Sequence, residues 1–123
     1  MKKSDLGYIA GIIDGEGCIS VIRRRDTRLK TGYEYHLLVD VRMTDEWIPR
    51  WLQFNFGGRV TIYKPQKPAH RPSYDWHIQS RQALAFLKII YPYLRLKKPQ
   101  AQIAIEFQST KHRFGDGGKS DEE

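Results

Sequence analysis

The stretch Ile9-Ala10-Gly11-Ile12-Ile13-Asp14-Gly15-Glu16-Gly17 decides how this chain is read. Leu6, Ile9 and Ile13 fall on one helical stripe and Tyr8 and Ile12 on another, with Gly7, Gly11 and Gly15 spaced four apart between them. A helix apolar on nearly all sides is expected to be buried on nearly all sides. One stripe would cover the domain's own sheet, and the glycine face would admit a second backbone at close range. Ser4 or Asp5 can accept the first free N–H groups of this helix. Gly15 and Gly17 are expected to permit a sharp exit through positive φ. Asp14 and Glu16 then stand at the negative end of the helix dipole, where an acid is unfavourable, so something must offset them. A divalent cation is the obvious candidate.

Beyond Gly17 the apolar period changes from helical to two. Ile19 and Val21 alternate with Ser20, Ile22 and Arg24, and a polar turn follows over residues 25–32. From Tyr33 to about Met43, Tyr35, Leu37, Val39, Val41 and Met43 share one face, and Glu34, His36, Leu38, Asp40 and Arg42 the other. Thr44 or Asp45 is expected to cap a second helix through Trp47, Trp51, Leu52 and Phe54, stopped by Gly57-Gly58. Pro49 falls in its first turns, where proline is tolerated. A third strand is expected over Arg59–Lys64, with Val60 and Ile62 inward. A fourth is expected over Ser73–Gln79, with Tyr74, Trp76 and Ile78 inward. Ser80 would cap a third helix ending at Tyr91-Pro92, and Pro99 would open a last one.

The order αββαββα plus one helix predicts an α+β fold, with a single four-stranded antiparallel sheet covered by helices on one face. Its open face would carry Ser20, Arg24, His36, Asp40, Arg42, Arg59, Thr61, Tyr63, Asp75, His77 and Gln79. These side chains offer both donors and acceptors, as reading base edges in a major groove requires.

The chain has 123 residues and a net charge of +7, which suits one domain with an acidic partner, nucleic acid being the commonest. Residues 1–112 are read as that domain, and 113–123 as a disordered charged tail. The apolar run is too short to span a bilayer and no apolar leader is visible, so an intracellular protein that does not engage membranes is expected. The lone Cys18 excludes an internal disulfide and a cysteine-based zinc site, and reads as a small packed side chain.

Position by position, residues 9–17 resemble the signature of the LAGLIDADG homing endonucleases, with Tyr8 and Cys18-Ile19 as matching flanks. Ile stands for Leu at 9 and 12, Gly15 for Ala, and Glu16 for the second Asp. The segment Pro92-Tyr93-Leu94-Arg95-Leu96-Lys97-Lys98 resembles the family's link between its last helices. The resemblance implies the family's saddle-like sheet and hydrolysis of double-stranded DNA at a long, near-palindromic target. It implies Glu16 as a ligand of Mg²⁺, with the Gly15 carbonyl a further donor; Mn²⁺ or Ca²⁺ suits the same oxygens. It implies Lys97, or its neighbour Lys98, as the catalytic-site lysine, and gives Asp14 a structural role together with Gly7, Gly11, Gly15 and Gly17. One motif supplies one acid, so a homodimer packed through the motif helix is implied.

Arg23, Arg25, Arg28, Lys30, Lys64, Lys67 and Arg71 would grip phosphates. Family members often carry Gln where this chain has Met43, which cannot hold active-site water; Thr44, Arg42 and Asp40 are the nearby polar substitutes. A non-catalytic DNA-binding protein of the same fold and an RNA-splicing maturase stand as alternatives.

Overall fold

In the computed structural model, residues 1–67 and 70–115 are described, with side chains to residue 110. The order is α1 (Lys3–Glu16), β1 (Gly17–Arg25), β2 (Tyr33–Met43), α2 (Trp47–Phe56), β3 (Arg59–Tyr63), β4 (Ser73–Gln79), α3 (Ser80–Ile90), a 3₁₀ turn (Tyr91–Tyr93) and α4 (Lys98–Gly115). The four strands form one antiparallel sheet in the order β1-β2-β4-β3. This is the α+β architecture the alternation of periods predicts.

The register shows why one face is closed. Ile19 pairs with Val39 and Val39 with Ile78; Val41 pairs with Trp76 and Trp76 with Val60. These rows lie under α1 and α3, and Leu37, Val39, Val41, Trp76, Ile78, Ile9, Ile13, Phe86, Leu87 and Ile90 are all buried. Burial of such side chains contributes about 1.5–3 kcal/mol each. The helices do not reach the sheet's margins, so Val21, Tyr35 and Ile62 on the same face stay exposed.

Several local expectations are corrected. Asp5 does accept an N–H, that of Lys2 at 3.1 Å, but α1 starts at Lys3, so Ser4 is no cap. Asp45 accepts the Trp47 N–H at 2.8 Å, ahead of α2. Ser80 does not cap α3: it is that helix's first residue, at φ 53°, and its hydroxyl lies 3.3 Å from His36 Nδ1. Gly17 is extended at φ −83°, and positive φ occurs instead at Gly32, Gly57 and Gly58. At Gly17 glycine is required by space, because a Cβ there would lie 2.8 Å from Ile13 Cα. At Gly58 both reasons apply, since φ is 89° and a Cβ would stand 2.5 Å from the His77 carbonyl.

Cys18 is exposed rather than packed, because it lies on the open face opposite Asp40. On α2, Leu52 is buried, whereas Trp47 and Phe54 project outward. The third strand ends at Tyr63, one residue early. The last helix runs past residue 112 to Gly115, and residues 116–123 of the expected tail lie outside the described residues.

Candidate active site

The end of α1 is built from the motif's two carboxylates, which the backbone sends to different surroundings. Asp14, on the last turn, faces the link before α4. Its carboxylate accepts the Arg95 N–H at 2.8 Å through one oxygen and the Lys97 N–H at 2.8 Å through the other. In return Lys97 Nζ donates to the Asp14 carbonyl at 2.8 Å. The knot solves two electrostatic problems: an ammonium caps a free carbonyl at the negative end of α1, and a carboxylate meets free N–H groups ahead of α4. At Asp14, therefore, protein donors and not a cation offset the position. Burial pushes its carboxyl up, but the backbone N–H groups of Lys97, Arg95 and Leu96, with the Lys97 charge, outweigh burial and hold it below 3.8.

Glu16, one residue before β1, is exposed and forms no hydrogen bond or ion pair among the described residues. The first paired row of β1 is Gly17 with Val41. Glu16 is thus delivered at the end of the sheet, beside the row in which Arg42, Asp75 and Thr61 lie abreast. The Gly15 carbonyl belongs to the same helix end. One free carboxylate and one carbonyl fit an ion that takes few protein ligands and completes its shell with water and phosphate. Among the described residues no group of three or more His, Cys, Asp or Glu side chains could hold a metal by itself.

Lys97 is half-buried and fixed by the knot, whereas Lys98 Nζ lies 4.9 Å over the Tyr91 ring. Met43 packs against the core and brings no polar atom to this end of the sheet. Of its polar neighbours, Thr44 accepts an Arg71 N–H through its carbonyl at 3.4 Å, and Arg42 donates to Ser73 Oγ at 3.0 Å while lying over the Tyr63 ring at 3.9 Å.

The open face assembles the other expected residues in cross-strand rows. Ser20, Leu38 and Gln79 form one; Cys18, Asp40, His77 and Arg59 a second; Arg42, Asp75 and Thr61 a third. Many of these side chains are held in place. Arg24 donates to Gln79 Oε1 at 3.4 Å, and His36 lies between Ser80 and Glu34, with Nε2 3.4 Å from Glu34 Oε1. Arg28 and Lys30 stand apart on the β1–β2 turn. There Arg28 is tied to Asp26 at 2.9 Å, and the guanidinium holds the Asp26 carboxyl down at about 2. That ion pair competes with phosphate for Arg28, while Arg23 lies over the Tyr33 ring at 4.3 Å.

The motif helix is buried on one side only. Ile9, Ala10 and Ile13 are covered, but Gly7, Gly11 and Gly15 would meet nothing within 4 Å if each carried a Cβ. Beside this bare face Tyr8 tilts against Trp51 at 6.1 Å, and Trp51 stacks on Trp47 at 5.3 Å. Trp47, Trp51 and Phe54 share one face of α2, and Tyr8, Trp47 and Phe54 are 52%, 61% and 87% exposed. Inward-pointing periodicity did not reveal this aromatic surface; the spacing of 47, 51 and 54 on one helix face could have.

The family model described as LAGLIDADG endonuclease matches residues 9–112. Among solved structures, the chain is similar to the homing endonuclease I-CvuI in complex with uncleaved target DNA in the presence of Mg, with TM-score 0.72 and 20% identity over 87% of this chain and 67% of that one. It is also similar to the archaeal intron-encoded homing endonuclease I-Vdi141I complexed with DNA, with TM-score 0.75 and 18% identity over 93% and 72% of the two chains. For I-SmaMI bound to uncleaved DNA with calcium ions, the TM-score is 0.65 and the identity 24% over 87% and 38%. The chain thus spans about two-thirds of the I-CvuI chain and well under half of the I-SmaMI chain. No curated protein matches. With its signature helix, its four-stranded sheet and a family match covering most of its length, this chain belongs to the LAGLIDADG endonuclease family.

Proposed function

We propose that this protein is a site-specific endonuclease that hydrolyses double-stranded DNA as a homodimer, with Mg²⁺ held at Glu16. The observation that carries the reading is the division of labour at the end of α1. Asp14 is consumed by structure, and Glu16, two residues on, is left without a partner among the described residues, beside a polar, open sheet face. Mg²⁺, when bound, supplies activation of water and neutralisation of phosphate charge. Glu16 and the Gly15 carbonyl would hold it, with DNA oxygens completing the shell.

The chain's own residues do the rest. Asp14 fixes the backbone at Arg95 and Lys97, and the Asp14 carbonyl fixes Lys97 Nζ. The ammonium is therefore preorganised within one helical turn of Glu16, where it stabilises charge developing on the phosphate or favours ionisation of the attacking water. The sheet face positions the duplex, with Arg24, Arg42, Arg59, His77 and Gln79 as donors to bases and Asp40 and Asp75 as acceptors. Dimerisation through the bare glycine face of α1, flanked by Tyr8, Trp51 and Trp47, brings two Glu16 carboxylates together, one for each DNA strand. Metal ions relieve their repulsion.

One observation favours a second reading, a DNA-binding protein of this fold that does not cut: Met43 is apolar where the family often has a water-holding Gln. Incubating the protein with a randomised duplex library, with Mg²⁺ and with EDTA, and sequencing the ends separates the two. Metal-dependent cuts at one near-palindromic sequence, absent in Glu16→Gln, support the endonuclease. Enrichment of a bound sequence without cuts supports the second reading. Neither cutting nor enrichment overturns both and turns attention to RNA.

A further inference from the structure

In the middle of the open face two carboxylates meet without a counter-ion. Asp40 on β2 and Asp75 on β4 lie on adjacent rows of adjacent strands, and their carboxyl groups are within hydrogen-bonding reach of each other. Neither forms an ion pair among the described residues. Arg42, directly opposite Asp75, is diverted to Ser73 and to the Tyr63 ring. Asp75 Oδ1 is buried, and among the described residues no donor satisfies it. Two ionised carboxylates at such range repel, and a buried acceptor without a donor costs free energy. A single proton between the two removes both penalties.

We propose that Asp40 and Asp75 share one proton and read a base edge as a joined donor and acceptor, so that DNA binding at this face retains that proton and weakens as it leaves. This rests on the reading of the face as the DNA-binding surface. A protonated carboxyl carries an O–H donor that a carboxylate lacks, and the pair then presents both functions to a groove whose base pairs offer both. Two negative charges at the same place would face the phosphates as like charges; the phosphate field favours the protonated form further.

The surroundings agree. Asp40 is faced by Cys18 from β1, by His77 and Asp75 from β4 with Arg59 on β3 beyond, and by Arg42 on its own strand. Burial, then the Asp75 charge and hydrogen bond, push the Asp40 carboxyl up to about 6, against the opposing pull of His77 and Arg42.

The test has two arms. Carbon-13 NMR of the aspartate carboxyls in the free protein should show a titration step at Asp40 well above the ordinary carboxylate value of 3.8. In Asp75→Asn that step should move down. An Asp40 step near 3.8, or one that Asp75→Asn leaves unmoved, overturns the shared proton, whether or not the protein binds DNA. In the second arm, the Kd for the enriched duplex is measured from roughly pH 5 to 9 at constant salt, in Ca²⁺.

Affinity should fall by up to about tenfold per pH unit once the free pair begins to lose its proton. Asp75→Asn and Asp40→Asn each replace the shared proton by an amide donor and should flatten that slope. His77→Gln should leave it in place. A flat wild-type profile, or a slope that His77→Gln removes and the two asparagine variants keep, overturns the inference. A duplex that binds at no pH instead overturns the DNA-binding reading, and the NMR arm still decides the proton.

Discussion

Asp14 at the end of α1 and Asp40 in the middle of the open sheet face are both half-buried aspartates, and the fold moves their acidities in opposite directions. Asp14 meets fixed donors: the N–H groups of a chain about to enter a helix, and an ammonium tied to its own carbonyl. Asp40 meets a second carboxylate, while the nearby Arg42 is occupied elsewhere. Burial raises both groups; the supply of oriented donors decides the outcome. A carboxylate satisfied by backbone becomes structure. One left without donors must find a proton, a metal or a base. Glu16, two residues beyond Asp14, has no partner among the described residues, and in the proposed function it takes the metal.

The largest test of that contrast is to neutralise each motif carboxylate in turn. Glu16→Gln should lower cleavage by on the order of 10²–10³-fold or more, while DNA binding and thermal stability hold. If Glu16→Gln cuts at the wild-type rate, the metal assignment fails. Gly11→Leu comes next. Nothing within 4 Å obstructs a side chain there in the single chain, so the folded protomer should persist while the dimer is lost and cleavage with it. A dimer that survives in sedimentation removes the glycine face from the interface. Lys97→Ala should slow cleavage about 10²-fold and leave the sedimenting species unchanged. An unaltered rate there, with a slow Lys98→Ala, would move the role to Lys98.

The fold was largely legible because its periods are clean. Alternation over Tyr33–Met43 and Ser73–Gln79 marks both central strands, since the middle of one face of each is covered by helices and the other face is open. Gly57-Gly58 marks the end of α2, because the backbone there turns to positive φ. What stayed hidden depends on partners distant in sequence. Ser80 looks like a cap, yet tertiary packing places it inside the helix with its hydroxyl at His36. Cys18 looks like a packed residue, but register puts it on the open face. The cost of an acid at a helix C-terminus is readable from residues 9–17. That Arg95 and Lys97, some eighty residues later, relieve it at Asp14 depends on the path of the chain between α3 and α4. The Asp40–Asp75 pair is likewise a product of β2–β4 register. Open-face periodicity names both residues but not their contact.

The smallest effects sharpen the contrast most, because they have opposite signs in pH. Asp14→Asn removes a charged acceptor from two backbone donors and should cost about 2 kcal/mol at neutral pH. The Asp14 carboxyl is held below 3.8, so the unfolded chain binds its proton first; the stabilisation is complete above that value and lost as pH falls through the folded one. For Asp40 the folded chain holds the proton more tightly. Its contribution is greatest below 3.8, declines as pH rises toward about 6, and changes no further above that. The decline should be on the order of 1 kcal/mol after solvent screening. Urea unfolding of the wild type from below pH 3.8 to above about 6 should therefore show stability limited by an Asp14 limb under 3.8 and eroded by an Asp40 limb above it. Asp14→Asn should flatten the first limb alone and Asp40→Asn the second alone. If either variant flattened both limbs, the two carboxylates would not be independent, and the separation between a structural acid at the helix end and a proton-holding acid on the sheet would collapse.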